Sequence, residues 1–147
     1  MLSDSLVIFD YLQQARASQP IIAIGFSIGS GVAAYVARHR PVAGLILVTP
    51  FDSLEALARH LYWWAPVGPL LRHRMPTIEF VRGSLTPTAL IIAKNDAVVP
   101  ARRSAPLRPA IENLVFKRTV DAGHNDIYDH PAFAAAMREA LAKIEAV

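Results

Sequence analysis

The chain has 147 residues, of which 53% are hydrophobic and 18% charged, with a formal net charge of +3 and no cysteine. That length suits one domain burying roughly two thirds of its unfolded surface, and the apolar share excludes extended disorder. Lack of cysteine excludes disulfides, thiolate metal sites and cysteine nucleophiles, and small basic clusters such as Arg72-His73-Arg74 carry no interleaved aromatic platform, so they read as solvated surface rather than a nucleic-acid groove.

Residues 4–17 predict a helix opened by Ser3 or Asp4, with Leu6, Phe9 and Leu12 at about helical spacing. The apolar run 21–24 predicts a first strand. Gly25-Phe26-Ser27-Ile28-Gly29 then joins it to a small-residue helix reaching about Arg38, before Pro41, and 44–48 predict a second strand. Both strands are apolar on both faces, the pattern of a parallel sheet covered by helices.

Residues 53–87 read as an excursion over the sheet, with a helix from Ser53 to Tyr62 and then Pro66, Pro69 and Pro76. Its apolar run Leu61–Leu71 is shorter than the roughly 20 residues of a membrane helix, and Met1–Asp4 lacks the basic start of a signal peptide. The expectation is therefore no membrane span and, by default, a cytoplasmic protein. Strands at 89–93 and about 113–120 follow. A closing helix has Pro131 in its first turn and Phe133, Met137, Leu141 and Ile144 in one stripe. The expected fold is a single α/β domain over 1–147, with an open, mainly parallel sheet of about four strands and helices on both faces.

A G-x-S-x-G pentapeptide on a tight strand-to-helix turn lifts a serine hydroxyl clear of the sheet, and the small residues Gly25 and Gly29 suit the bend. The rival reading is a glycine-rich turn in which Ser27 only caps the helix. In an open parallel sheet, functional groups gather beyond the carboxyl ends of the strands. Ser27, Asp96 and His124 each follow a strand, so right-handed crossovers bring them to one rim. A serine needs an imidazole to take its proton, and the imidazole needs a carboxylate to hold its tautomer. Each has an alternative: Asp96 shaping its loop, His124 bonding backbone, and Asp52 serving as a substitute acid. Asp126 is too near His124 in sequence to be the first choice, and His39, His60, His73 and His130 read as surface residues.

The order serine, aspartate, histidine in GFSIG, KNDAVVP and AGHNDI resembles the α/β-hydrolase superfamily, and within it the small, nearly lidless serine hydrolases that cleave esters, thioesters or amides. The resemblance implies Ser27 as nucleophile, His124 as base and then acid, Asp96 as orienting carboxylate and the Ile28 N–H as oxyanion donor, with Gly25, Phe26 and Gly29 forming the nucleophile elbow. It implies a small acyl substrate and no metal or organic cofactor. Tyr62, Trp63 and Trp64 are read either as a wall for an acyl chain or as core aromatics.

The same resemblance implies strands and a glycine-rich loop ahead of the nucleophile strand, where this sequence has about 20 residues, mostly helix. Three expectations follow: a missing N-terminal segment that pairs with strand 21–24, a homodimer through that edge, or a degenerate remnant that folds poorly and catalyses nothing. Two readings lie outside hydrolysis. One is an interaction module using the exposed strand edge. The other rests on Gly25, Gly29 and Gly31, which also resemble the cofactor turn of short-chain dehydrogenases with Asp52 as ribose acid, although no tyrosine here has a lysine four positions later.

Overall fold

The computed structural model describes residues 2–16, 19–71 and 74–147. The elements are α1 (Leu2–Ala15), β1 (Ile22–Phe26), α2 (Ile28–His39), β2 (Gly44–Val48), α3 (Leu54–Leu61), α4 (Val67–Leu70), α5 (Thr77–Val81), β3 (Thr88–Ala93), α6 (Ala101–Ser104), α7 (Leu107–Ala110), β4 (Leu114–Val120), a 3₁₀ turn (Asp126–Asp129) and α8 (Pro131–Glu145).

The four strands form one wholly parallel sheet in the order β1-β2-β3-β4. β2 and β3 sit centrally, which explains their unbroken apolar runs: Ile46, Val48, Ala89 and Ile91 face one side, and Leu45, Leu47 and Leu90 the other. The first side is closed by α8 through Ala136, Ala140 and Ile144. The second is closed by α2, α5 and α7 through Ala33, Ala34, Val81 and Leu107. Helix α1 packs outside α2, where Phe9 meets Val36 and Val42.

Most strand and helix boundaries fall within a residue of the sequence reading, with three larger departures. Helix α1 runs from Leu2 to Ala15, earlier at both ends than expected, and Ala17 lies outside the described residues. Strand β1 extends to Phe26, because its ladder with β2 continues through Gly25↔Leu47 and Phe26↔Val48, so two residues of the pentapeptide are strand. The connection from β3 to β4 contains two four-residue helical pieces, α6 and α7, which Pro106 and Pro109 keep short.

The two borders of the sheet contrast. At β4, Lys117 and Arg118 face solvent and Arg118 pairs with Glu139. At β1 no further strand pairs among the described residues, and Ile24 is 40% exposed. Here α1, β1 and α2 enclose an apolar groove of about 380 Å³ lined by Ile8, Leu12, Ile22, Ile24, Val32 and Val36, on the β1 border rather than over the polar rim.

Candidate active site

The carboxyl ends of all four strands lie at one rim, and the parallel ladder continues into the loops beyond them. Ser27 N donates to Val48 O (2.9 Å), Thr49 N to Ile91 O (2.8 Å), and Lys94 N to Val120 O (2.9 Å). These bonds fix the first loop residues as firmly as the strands.

Ser27 sits between β1 and α2 at φ 49°, a left-handed conformation that side chains other than glycine rarely adopt. Ser30 holds it there, with its N–H and its hydroxyl both donating to Ser27 O at 2.9 and 2.6 Å. Although Ser27 occupies the N-cap position of α2, its side chain makes no cap hydrogen bond. The capping role is thus not the one it plays.

The two glycines of the pentapeptide are not equivalent. A Cβ on Gly25 would stand 2.4 Å from Gly29 O and 2.6 Å from Ser30 Cα, so only glycine lets the turn close. At Gly29 a Cβ would meet nothing within 4 Å. The sequence reading asked for smallness at both; the described residues require it only at Gly25.

His124 bridges the other two groups. Its Nε2 lies 2.9 Å from Ser27 Oγ and its Nδ1 lies 2.7 Å from Asp96 Oδ2. A carboxylate only accepts, so the proton of a neutral His124 belongs on Nδ1, which leaves Nε2 to accept from the serine hydroxyl. Asp96 is itself fixed: its Oδ1 accepts from Val98 N (2.9 Å) and Val99 N (2.6 Å). The Asp96 side chain is 3% exposed and that of His124 10%, while Ser27 is only half-buried. Water is largely kept from the imidazole–carboxylate contact but reaches the hydroxyl. The arrangement can move a proton off Ser27 Oγ onto a held imidazole.

Ile28 is the first residue of α2, and its N–H is one of those at a helix start with no intrahelical acceptor. Phe26 anchors the turn on the other side, its ring edge-on to Tyr128 (5.9 Å) and Phe133 (6.4 Å).

The other candidates lie elsewhere in the network. Asp52 pairs with Arg103 (3.3 Å) and accepts from Ser53 N, so the substitute acid is engaged by a guanidinium rather than by His124. Gly31 lies within α2, where a Cβ would stand 3.3 Å from Met75. His39 and His60 are exposed, His130 caps α8 by accepting from Ala132 N, and His73 lies outside the described residues. Asp126 is exposed. The aromatic run of the excursion stays out of the core: Tyr62, Trp63 and Trp64 are all exposed, against the core alternative for them. Among the described residues no group of three histidines or carboxylates could hold a metal ion.

Two supports of the rim were not singled out from sequence. Asp121 accepts from Lys94 Nζ (3.0 Å) and Asn95 Nδ2 (2.8 Å), tying the loop before Asp96 to the loop before His124; the Lys94 hydrogen bond first, and then Asn95, holds its carboxyl below the ordinary range. Thr49, beside Ser27 in the ladder, is buried at φ 46° with no hydrogen-bond partner for its Oγ1. Lys-Asn-Asp and Asp-Ala-Gly signal turns, but nothing local shows that they cross-link.

No protein-family model matches the chain. Over 103 residues it is 36% identical to an uncharacterised protein of Mycobacterium tuberculosis, a match covering 69% of this chain and 37% of that protein. A lysophosphatidylserine lipase of Macaca fascicularis is 25% identical over 174 aligned positions, covering 99% of this chain and 44% of the lipase. The chain therefore spans less than half the length of these relatives. Among solved structures, the esterase domain of a Rhodothermus marinus protein superposes with a TM-score of 0.68 at 23% identity, covering 90% of this chain and 64% of that one. A hydrolase from Pseudomonas aeruginosa gives 0.71 at 17% identity, covering 96% and 72%.

Proposed function

We propose that this chain, whose fold is that of the α/β-hydrolases, is a serine hydrolase domain that cleaves an ester, thioester or amide through an acyl-enzyme. The observation that carries the reading is the continuous hydrogen-bonded path from Ser27 Oγ through His124 to Asp96, with 2.9 and 2.7 Å contacts. A lysophosphatidylserine lipase among the relatives, itself named for an ester substrate, supports the hydrolytic class.

In this mechanism Ser27 Oγ attacks the substrate carbonyl carbon while its proton passes to His124 Nε2. Asp96 Oδ2 stabilises the imidazolium through Nδ1–H, and the carbonyl oxygen, now an oxyanion, accepts from the Ile28 N–H. His124 then gives its proton to the leaving alkoxide, thiolate or amine as that bond breaks. Water attacks the acyl-serine by the same route in reverse, releasing the acid and restoring the Ser27 hydroxyl. The acyl-chain wall proposed at Tyr62, Trp63 and Trp64 rests only on their place in the excursion that leaves the same rim, and all three side chains are solvent-exposed.

The test is covalent labelling with a fluorophosphonate. The chain should label at Ser27, and Ser27→Ala and His124→Ala should each abolish labelling, a loss on the order of 10⁶-fold in rate for the nucleophile. Background-level labelling of the unmodified chain, as expected of an idle interaction module, or labelling that persists in Ser27→Ala, would sink the reading.

A further inference from the structure

Four consecutive large apolar side chains of the excursion are exposed. Trp63 is 83% exposed, Trp64 72% and Tyr62 54%, with Leu61 next to them at 40%. Scattered exposed hydrophobes are ordinary, but four in a row, two of them tryptophans, form a patch that water alone does not favour.

The patch is held out rather than left loose. Helix α3 turns Leu57 inward against Phe51, Met75 and Val99, with Leu54 beside them, and this anchors its opposite face outward. Beyond α3 the backbone closes a turn, with Tyr62 N donating to Ala58 O and Ala65 N to Tyr62 O, so the aromatic side chains project from a fixed support. Among the described residues neither tryptophan stacks on another aromatic ring.

The charged side chains near this turn are mainly cationic, with Glu55 the exception. Residues 56–78 contain three arginines (59, 72 and 74), two histidines (60 and 73) and no acid. Arg59 and Arg74 reach back to Glu55 but stay 61% and 68% exposed, and Arg102, from α6, lies against the His60 ring. Glu55, only 19% exposed, is the one carboxylate engaging these arginines among the described residues. Aromatic side chains with amphipathic rings, next to a helix whose neighbourhood carries exposed arginines that can snorkel, match the interface of a bilayer, where rings sit at headgroup depth and cations meet anionic lipid.

We infer that the Leu61–Trp64 surface docks this protein on anionic phospholipid bilayers, with the tryptophans entering the headgroup region and Arg59, Arg74 and Arg102 facing lipid phosphates and carboxylates. The excursion leaves the end of β2, and Arg102 stands six residues after Asp96, so a bilayer held there lies on the rim side of the molecule. The docking needs no catalysis, and it stands or falls separately from the hydrolase reading.

Trp63 and Trp64 are the only tryptophans in the chain, so their fluorescence reports on this patch alone. With unilamellar vesicles of phosphatidylcholine and phosphatidylglycerol at about 3:1, emission should move to shorter wavelength, and the protein should float with the vesicles. Pure phosphatidylcholine should give a much weaker response, and raising salt well above physiological strength should weaken binding. Trp63→Ser and Trp64→Ser each keep one reporter and should each reduce flotation. The double variant should lose flotation while keeping its thermal transition, and Arg102→Ala should weaken binding about fivefold. Unchanged emission and no flotation with the anionic vesicles would overturn the proposal. So would equal binding to pure phosphatidylcholine, or a blue shift that follows protein concentration without lipid, which would assign the patch to a second copy of the chain.

Discussion

The rim and the excursion start from the same carboxyl end of the sheet, yet they are built on opposite principles. At the rim, the imidazole and its carboxylate are withdrawn from water and the turn is over-determined: Asp96 has three hydrogen bonds, and Ser27 keeps a strained backbone because Ser30 and the β2 ladder hold it. In the excursion, apolar rings are pushed into water on a turn anchored by Leu57. A preorganised proton path needs fixed geometry and little water. A surface that meets another phase needs the reverse, a stable support with its contact groups left free.

The difference is tested most severely at Asp96. In Asp96→Asn the amide oxygen should stay with Val98 N and Val99 N, which turns the NH₂ toward His124 Nδ1 and puts the ring proton on Nε2, where it cannot accept from Ser27. Ester turnover should fall about 10⁴-fold with little change in KM. A drop below tenfold would mean that the rim tolerates loss of its carboxylate.

Next in size comes Gly25→Ala, whose Cβ meets backbone atoms of Gly29 and Ser30; unfolding free energy should fall by about 3 kcal/mol. Gly29→Ala is its counterpart in the same pentapeptide. With open space and a helical position, it should leave stability unchanged or raise it by about 0.5 kcal/mol, as denaturant titration would show. Equal losses at the two glycines would contradict the asymmetry described for the turn.

On the excursion side, the double change Trp63→Ser and Trp64→Ser should move unfolding free energy by less than about 0.5 kcal/mol, since neither ring is buried. A large loss would show that the rings pack where the rim is packed. The smallest effect is expected at Asp121→Asn. Because its folded pKa is depressed, Asp121 adds stability above the ordinary carboxylate pKa and loses it as pH falls through the lowered value. The difference in melting temperature between variant and parent should therefore be slight at neutral pH and vanish in acid, below both values.

The four strands were legible because β2 and β3 are covered on both faces and leave unbroken apolar runs, and the closing helix was legible from its stripe ending at Ile144. The rim was legible in outline, since strand-end loops are where a parallel sheet collects polar groups. What the sequence hid depends on three-dimensional closure. Nothing local distinguishes Gly25, clamped by the helix it precedes, from Gly29, which faces open space. Asp52 follows a strand as Asp96 does, and only the placement of Arg103 shows which of the two is free to serve His124. The tryptophans read as core candidates by hydrophobicity alone, because exposure of a whole aromatic turn depends on which face of α3 finds partners.

The unlike borders of the sheet differ in what they offer to another strand. β4 carries Lys117 and Arg118 and resists another strand, whereas β1 shows an apolar, unpaired margin. Among the described residues only the β1 border offers an unpaired apolar margin, so any strand-to-strand pairing of copies through it would leave both cationic β4 borders outward.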